Sequence, residues 1–369
     1  MKKWNIRAVG TGVLILLWAV IVGFAWFSPP KEESWSERRK LKKMPEITME
    51  AILDGTFMSN FDGASLDQFP LRDTFRQAKA LFHRYVLVQQ DNNEVYYTAG
   101  HFNKLDYPVD TDSVNRATGI FNRIYQYNLK DKNCKVYVAA IPDKGYYLGE
   151  PNGFPVMDYS AMFTQLQTQL PWATHIDLTD TLTIDSFYKT DTHWRQETLI
   201  PTAGKIAQAL GVTAPKAEDY TLRTLPEAFY GVYYGQAALP VKPESITLLE
   251  NDLLKNCKVY NFETQSYGTV YDEAKRQGKD LYEVYLSGPQ SLLTIENPNA
   301  ATDRELVIFR DSFGSSIAPL LVQDYSKVTL IDIRYVPSMS LAHFGIEFEG
   351  KDVLFLYSTM VLNDSTTLK

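Results

Sequence analysis

Phe309-Arg310-Asp311-Ser312-Phe313-Gly314 sets a serine between an apolar run that reads as a buried strand and a segment that reads as a helix. At such a junction a side chain stands at the C-terminal edge of a sheet, and the helix N-terminus offers unpaired N–H groups to a developing oxyanion. Ser312 is therefore placed to be a nucleophile. Serine is also a common helix cap, so the same spacing suits a structural role in which Ser312 or Asp311 only satisfies the first turn. A serine nucleophile needs a base, and the chain has five histidines. His193 stands out, in Thr190-Asp191-Thr192-His193-Trp194. In extended backbone residues i and i+2 face the same way, so Asp191 can hold the imidazole in the tautomer a general base requires. Asp-x-His also suits a metal ligand pair or a surface hydrogen bond, but no second histidine cluster supports a metal site. His83, His101, His175 and His343 read as structural.

Around these residues the sequence alternates strand and helix. Val136–Ile141, Thr174–Leu178, Glu305–Phe309, Lys327–Ile333 and Asp352–Tyr357 read as strands. Helical patterns run over Phe69–Tyr85, Ser113–Asn128, Tyr159–Gln169, Gln196–Leu210 and Gly314–Val322. Alternation of this kind predicts an α/β fold, three-layered, with a mainly parallel sheet and helices on both faces. Between about 212 and 300, Tyr, Thr and Val broken by Gly and Pro predict a β-rich insertion, with one helical stretch near Tyr271–Arg276.

The chain has 369 residues, 45% hydrophobic and 13% aromatic, which excludes disordered and collagen-like classes. Its net charge of -7 argues against nucleic-acid binding through bulk positive charge. Two cysteines, Cys134 and Cys257, cannot form a multi-thiolate metal site; they read as a buried pair of free thiols, with one disulfide as the alternative.

From Ala8 to Phe27 the chain is uncharged and almost wholly apolar, about 20 residues being enough to cross a bilayer. Lys2, Lys3 and Arg7 precede it, and Trp18, Trp26 and Phe27 suit the membrane interface. The organisation expected is a cytoplasmic N-terminus at 1–7, an uncleaved anchor at 8–27, a linker and charged juxtamembrane segment at 28–45, and the main domain at 46–369. That domain then lies outside the cytoplasm, with a cleaved signal or the reverse orientation as alternatives. Residues 31–43 are charge-rich and read as a solvated arm or a segment lying along the membrane.

Asp191-Thr-His-Trp194, followed by Arg310-Asp-Ser-Phe-Gly314, resembles the DHHW proteins and the AlgX/AlgJ-type alginate O-acetylation proteins of the SGNH hydrolase-like superfamily. In that branch too the Asp-x-His-Trp motif precedes the serine motif. Leu53-Asp-Gly-Thr-Phe57, Asp67-Gln-Phe-Pro-Leu-Arg72, Ile141-Pro-Asp-Lys144, Tyr282-Glu-Val-Tyr-Leu-Ser-Gly288 and Ile331-Asp-Ile-Arg-Tyr335 extend the likeness over most of the chain after the anchor. Thr192 stands where the DHHW pattern has histidine, which puts closer membership of that subgroup in doubt but spares the triad.

The resemblance implies an SGNH-like fold with Ser312 as nucleophile, His193 as base and Asp191 orienting it, and no cofactor. It implies transfer of acetyl to a cell-surface or secreted polysaccharide, or its hydrolysis, with a membrane-bound O-acyltransferase as the partner exporting acetyl groups. For the oxyanion the Ser312 N–H is one donor, and Lys144, Gly288 or Gln290 is a candidate second. Arg310 and Arg334 can bind an anionic sugar or form plain salt bridges, and Trp194 flanks the base. Tyr146, Tyr147, Phe229, Tyr230, Tyr233 and Tyr234 can stack on sugar rings or belong to the core. The contrasting reading is a non-catalytic glycan-binding or assembly protein of the cell envelope. A lipid esterase fits less well, for want of a long apolar lid.

Overall fold

The computed structural model describes residues 6–369, apart from the side chains of Ile6 and Trp26, so the readings of Lys2, Lys3 and Trp26 lie outside it. The described residues divide into two compact units, residues 6–93 with 234–241, and residues 94–233 with 242–369.

The first unit begins with α1 (Ile6–Phe27), whose stretch Arg7–Ala25 is long and apolar enough to span a membrane, at mean hydropathy 2.4. A short antiparallel pair follows, β1 (Glu33–Ser34) with β2 (Arg39–Lys40). Then come α2 (Met49–Leu53), α3 (Thr56–Asp67), α4 (Arg72–Tyr85) and β3 (Asp91–Asn92). The charged segment at 31–43 is pinned to these helices. Arg39 makes a two-pronged bond to Asp67 at 2.6 and 2.8 Å, and Glu37 pairs with Arg72 at 2.5 Å and Arg76 at 3.3 Å.

The second unit contains β4 (Val95–Thr98), β5 (His101–Lys104), α5 (Thr111–Ile124), β6 (Lys135–Ile141), α6 (Lys144–Leu148), α7 (Tyr159–Gln169), β7 (Thr174–His175) and α8 (Ile200–Leu210). After these come β8 (Thr221–Thr224), α9 from Val232 to Ala237, which begins in this unit and continues into the first, β9 (Thr247–Glu250), α10 (Asp252–Asn256), β10 (Lys258–Asn261), β11 (Ser266–Gly268) and β12 (Leu292–Glu296). The last elements are β13 (Glu305–Arg310), α11 (Gly314–Ile317), β14 (Lys327–Ile331), β15 (Asp352–Ser358) and α12 (Thr359–Asn363).

An eight-stranded sheet in the order β11-β10-β12-β14-β13-β15-β6-β7 carries the fold. From β14 to β7 every pairing is parallel, and β12, β10 and β11 extend it antiparallel. The mixed α/β class and mainly parallel sheet expected from the sequence are present. Residues 258–296 therefore add strands to the central sheet, while β8 and β9 form a separate hairpin.

Alternate residues of each parallel strand feed opposite cores, because strand side chains point to opposite faces in turn. Leu306, Ile308, Leu354 and Leu356 join Ala203, Ile206 and Leu210 of α8 on one face. Val307, Phe309, Val353 and Phe355 join Val114, Phe121 and Met162 of α5 and α7 on the other. Two strand readings shorten: β7 is two residues long, and β14 stops at Ile331. The expected helix at 314–322 is one turn of α-helix followed by a 3₁₀ turn over Ala318–Leu321, with Pro319 inside it. Both cysteines are free thiols, Cys257 buried and Cys134 half-buried.

Candidate active site

β13 is buried on both faces and ends at Arg310, so the turn Asp311–Phe313 emerges at the C-terminal edge of the parallel strands. The side chain that caps this turn is Asp311: its Oδ1 accepts the Phe313 N–H at 3.0 Å and its Oδ2 the Ser358 N–H of β15 at 2.8 Å. The Ser312 hydroxyl is thus not consumed as a cap, and its Oγ lies 2.7 Å from His193 Nε2. His193 Nδ1 is 2.6 Å from Asp191 Oδ1, which also accepts the His193 N–H at 3.1 Å. Asp191 Oδ2 accepts the Val232 N–H at 2.8 Å. Ser312, 119 residues from His193, joins the Asp191–His193 pair in one hydrogen-bonded chain. Asp191 is fully buried and His193 nearly so.

The loop carrying Asp191 and His193 is held from several sides. Its ends close on themselves, with the Tyr188 N–H donated to His193 O at 3.0 Å and a bridge between Phe187 and Trp194. Glu244 accepts the N–H groups of Lys189 and Thr190 at 2.8 and 2.7 Å and the Thr190 hydroxyl at 2.7 Å. Opposite in sign, the buried Lys144 ammonium donates to the carbonyls of Phe102 and Tyr188 and lies 4.9 Å over the Tyr233 ring. Burial lowers the Lys144 pKa to about 7, against the raising pull of Asp191, Glu244 and Asp143.

Gly231 passes against Asp191 so closely that a Cβ there would meet Asp191 Cβ and backbone N at 2.3 Å. Only glycine lets the 229–233 turn bring the Val232 N–H to the carboxylate. Beneath the imidazole lies the Tyr282 ring, whose hydroxyl is 2.8 Å from Ser316 Oγ. The Trp194 indole N–H donates to that same Oγ at 2.8 Å and to Phe313 O at 3.1 Å, joining the histidine loop to the serine turn.

The remaining sequence-derived site residues sit as follows. The N–H of Gly288 donates to Tyr285 O, and that of Gln290 to Gly288 O, so both amides serve their own turn and not an oxyanion. Lys144 spends its ammonium on the two carbonyls described. Arg310 is wholly buried, donating to Asp311 O and Gln290 O with Asp332 at 3.8 Å, and Arg334 grips Asp332 through Nε and Nη2. Both arginines thus face Asp332, Arg334 as a direct salt bridge. Gly314 fits because a Cβ there would meet Arg310 Cβ at 2.7 Å. The Ser312 N–H makes no hydrogen bond among the described residues, leaving it able to donate to an oxyanion. Phe229 and Tyr233 are buried, whereas Tyr146 and Tyr230 are exposed. No group of three or more metal-ligating side chains occurs among the described residues.

The sequence reading missed Glu244, Val232 and the stacking role of Tyr282. Gly231, a lone glycine amid Phe229, Tyr230, Tyr233 and Tyr234, was the one available signal of close backbone approach.

No family model matches the chain, and no curated protein matches it. Solved structures do. A DHHW family protein from Eubacterium siraeum DSM 15702 aligns with TM-score 0.60 at 20% identity, over 76% of this chain and 97% of that one. Bacillus cereus PatB1, solved with a sulfonyl adduct, aligns with TM-score 0.60 at 18% identity, over 73% and 95%. The O-acetyltransferase domain of Pseudomonas putida AlgJ aligns at 11% identity with TM-score 0.45, over 73% and 92%. In fold, this chain is similar to the DHHW family protein and to PatB1.

Proposed function

We propose that the chain is a membrane-anchored serine acyltransferase or esterase that moves acetyl groups onto or off a cell-surface or secreted polysaccharide outside the cytoplasm. The observation that carries this reading is the hydrogen-bonded chain Ser312–His193–Asp191 at 2.7 and 2.6 Å. His193 Nε2 takes the hydroxyl proton as Ser312 Oγ bonds to the ester carbonyl carbon, and the carbonyl electron pair moves onto oxygen opposite the Ser312 N–H. When the carbonyl re-forms, the donor alkoxide leaves with the proton from His193, giving acetyl-Ser312. A sugar hydroxyl or water then yields its proton to His193 and attacks the acetyl carbonyl carbon, and as the carbonyl re-forms Ser312 Oγ leaves and takes that proton back from His193. Asp191 keeps Nδ1 protonated and stabilises the imidazolium in both halves.

Acetyl and polysaccharide come from the motif resemblance to alginate O-acetylation proteins. Acetyl-CoA is confined to the cytoplasm, so a transferase outside it draws on a membrane partner that exports acetyl groups, of the membrane-bound O-acyltransferase class. Because PatB1 carries a sulfonyl adduct, a sulfonyl fluoride is a fitting probe. The full chain, Ser312→Ala and His193→Ala are treated with phenylmethanesulfonyl fluoride and assayed with a chromogenic acetyl ester. Adduct mass on the Ser312 peptide, lost in Ser312→Ala and strongly slowed in His193→Ala, is expected. Absence of that adduct, or equal ester turnover by all three folded proteins, refutes the mechanism.

A further inference from the structure

An ordinary surface helix turns its apolar stripe toward the body of the protein. In α4 the stripe points the other way. Phe75, Ala78, Phe82 and Tyr85 recur at intervals of three and four, so they share one face, and Phe75 is 51%, Phe82 50% and Tyr85 72% exposed, with Leu71 just before the helix 67% exposed. Ala80, the one buried residue of α4, lies on the opposite side. The inward face is polar, Arg72 and Arg76 reaching Glu37. In the same unit Met49, Leu53, Met58 and Leu66 of α2 and α3 are exposed as well. So much uncovered apolar surface in one short region marks a contact with something apolar.

The position of the region says what covers it. Gln68, which ends α3, accepts the Lys31 N–H at 2.8 Å and donates to Lys31 O at 3.0 Å and Lys42 O at 2.9 Å. Lys31 lies four residues after Phe27, the end of α1. Four residues span at most about 14 Å, so the corner between α3 and α4 is held that close to where α1 ends. A helix with aromatic and aliphatic residues on one side and Arg, Lys and His on the other, tethered at that depth, has the composition of a segment lying in a lipid interface.

We infer that α4 lies in the interfacial layer of the membrane that α1 crosses, its Phe75–Tyr85 stripe immersed among lipid. The inference rests on the membrane anchorage proposed above. The test uses the full chain, with Cys134→Ser to remove the half-buried thiol, reconstituted in phosphatidylcholine vesicles. An environment-sensitive thiol label is placed at Phe75→Cys or Phe82→Cys on the stripe, or at Asp73→Cys on the opposite face. These side chains are exposed, so the labels open no core.

Labels at 75 and 82 are expected to be quenched several-fold more by doxyl-lipids than by aqueous iodide, and the label at 73 the reverse. Equal iodide access at all three positions overturns the inference while leaving the anchor in place. Shielding of 75 and 82 from both quenchers overturns it in favour of a second copy of the chain. Release of the chain from the vesicles by alkaline carbonate overturns the anchorage itself, and the inference with it.

Discussion

The His193 imidazole lies flat on the ring of Tyr282, 3.9 Å between centroids and 11° from parallel. This stack fixes the ring plane, while the bond to Asp191 fixes the rotation within it. Tyr282→Phe keeps the stack and loses only the hydroxyl contact to Ser316, so acetyl-ester turnover should stay near wild type. Tyr282→Leu frees the ring, and turnover should fall on the order of a hundredfold, the scale of a misplaced reacting group. Equal rates for the two variants would show that the stack does not position the base.

Gly231→Ala forces a methyl into backbone atoms of Thr190 and Asp191 that cannot move independently. A loss of about 1–3 kcal/mol is expected, the usual cost of overpacking. The Val232 N–H should leave Asp191 at the same time. Urea midpoints and ester turnover should therefore fall together, and a variant with wild-type values of both contradicts the contact.

Lys144 gives a pH signature. In the unfolded chain this lysine keeps its proton up to about pH 10.4, whereas in the folded protein burial lowers the pKa to about 7. Between these values the unfolded state binds more protons, so stability rises with pH, by at most about 1.4 kcal/mol per unit. Below about pH 7 the penalty of the buried charge is fully present. Wild type should gain on Lys144→Met in urea titrations run from about pH 6.5 to about pH 9, a window that begins near the folded pKa and stays below the unfolded one. A gap that does not change with pH would mean the ammonium keeps its ordinary affinity.

Asp332 serves two arginines, pairing with Arg334 at 2.6 Å and facing the wholly buried Arg310 at 3.8 Å. Asp332→Asn removes the charge that Arg310 faces inside the protein. The expected loss is about 3–5 kcal/mol, as for other buried pairs broken on one side. Thermal melting measures it, and a shift of a degree or less would show that water or other groups carry that charge.

What could be read in the sequence was local. Ser312 announced itself by lying where an apolar strand pattern gives way to Gly314, and Asp191 by its i, i+2 spacing to His193. The alternation of Leu306, Val307, Ile308 and Phe309 was equally plain, since both faces of such a strand are covered. What escaped were partners that meet through the fold: Glu244 on the amides of Lys189 and Thr190, and Val232 on Asp191. Lys144 was visible as a conspicuous lysine after Pro142-Asp143. That its ammonium would be spent on two backbone carbonyls depends on where β5 and the Tyr188 loop come to rest. The α4 stripe was legible as a pattern, but periodicity does not say which way a stripe faces.

The order of the chain also governs when Ser312 meets its partners. Synthesis runs from the N-terminus, delivering the Asp191–His193 loop first, then the Val232 turn and Glu244, then Tyr282 and only afterwards Ser312. Even then β13 lacks both strands that flank it, β14 and β15, and the Ser358 amide that locks Asp311 arrives with β15. A partly synthesised chain therefore carries His193 without Ser312, or Ser312 on a strand without its neighbours. The hydrogen-bonded chain Ser312–His193–Asp191 thus closes on a supported strand only once β15 is made, a timing set by the order of the sequence.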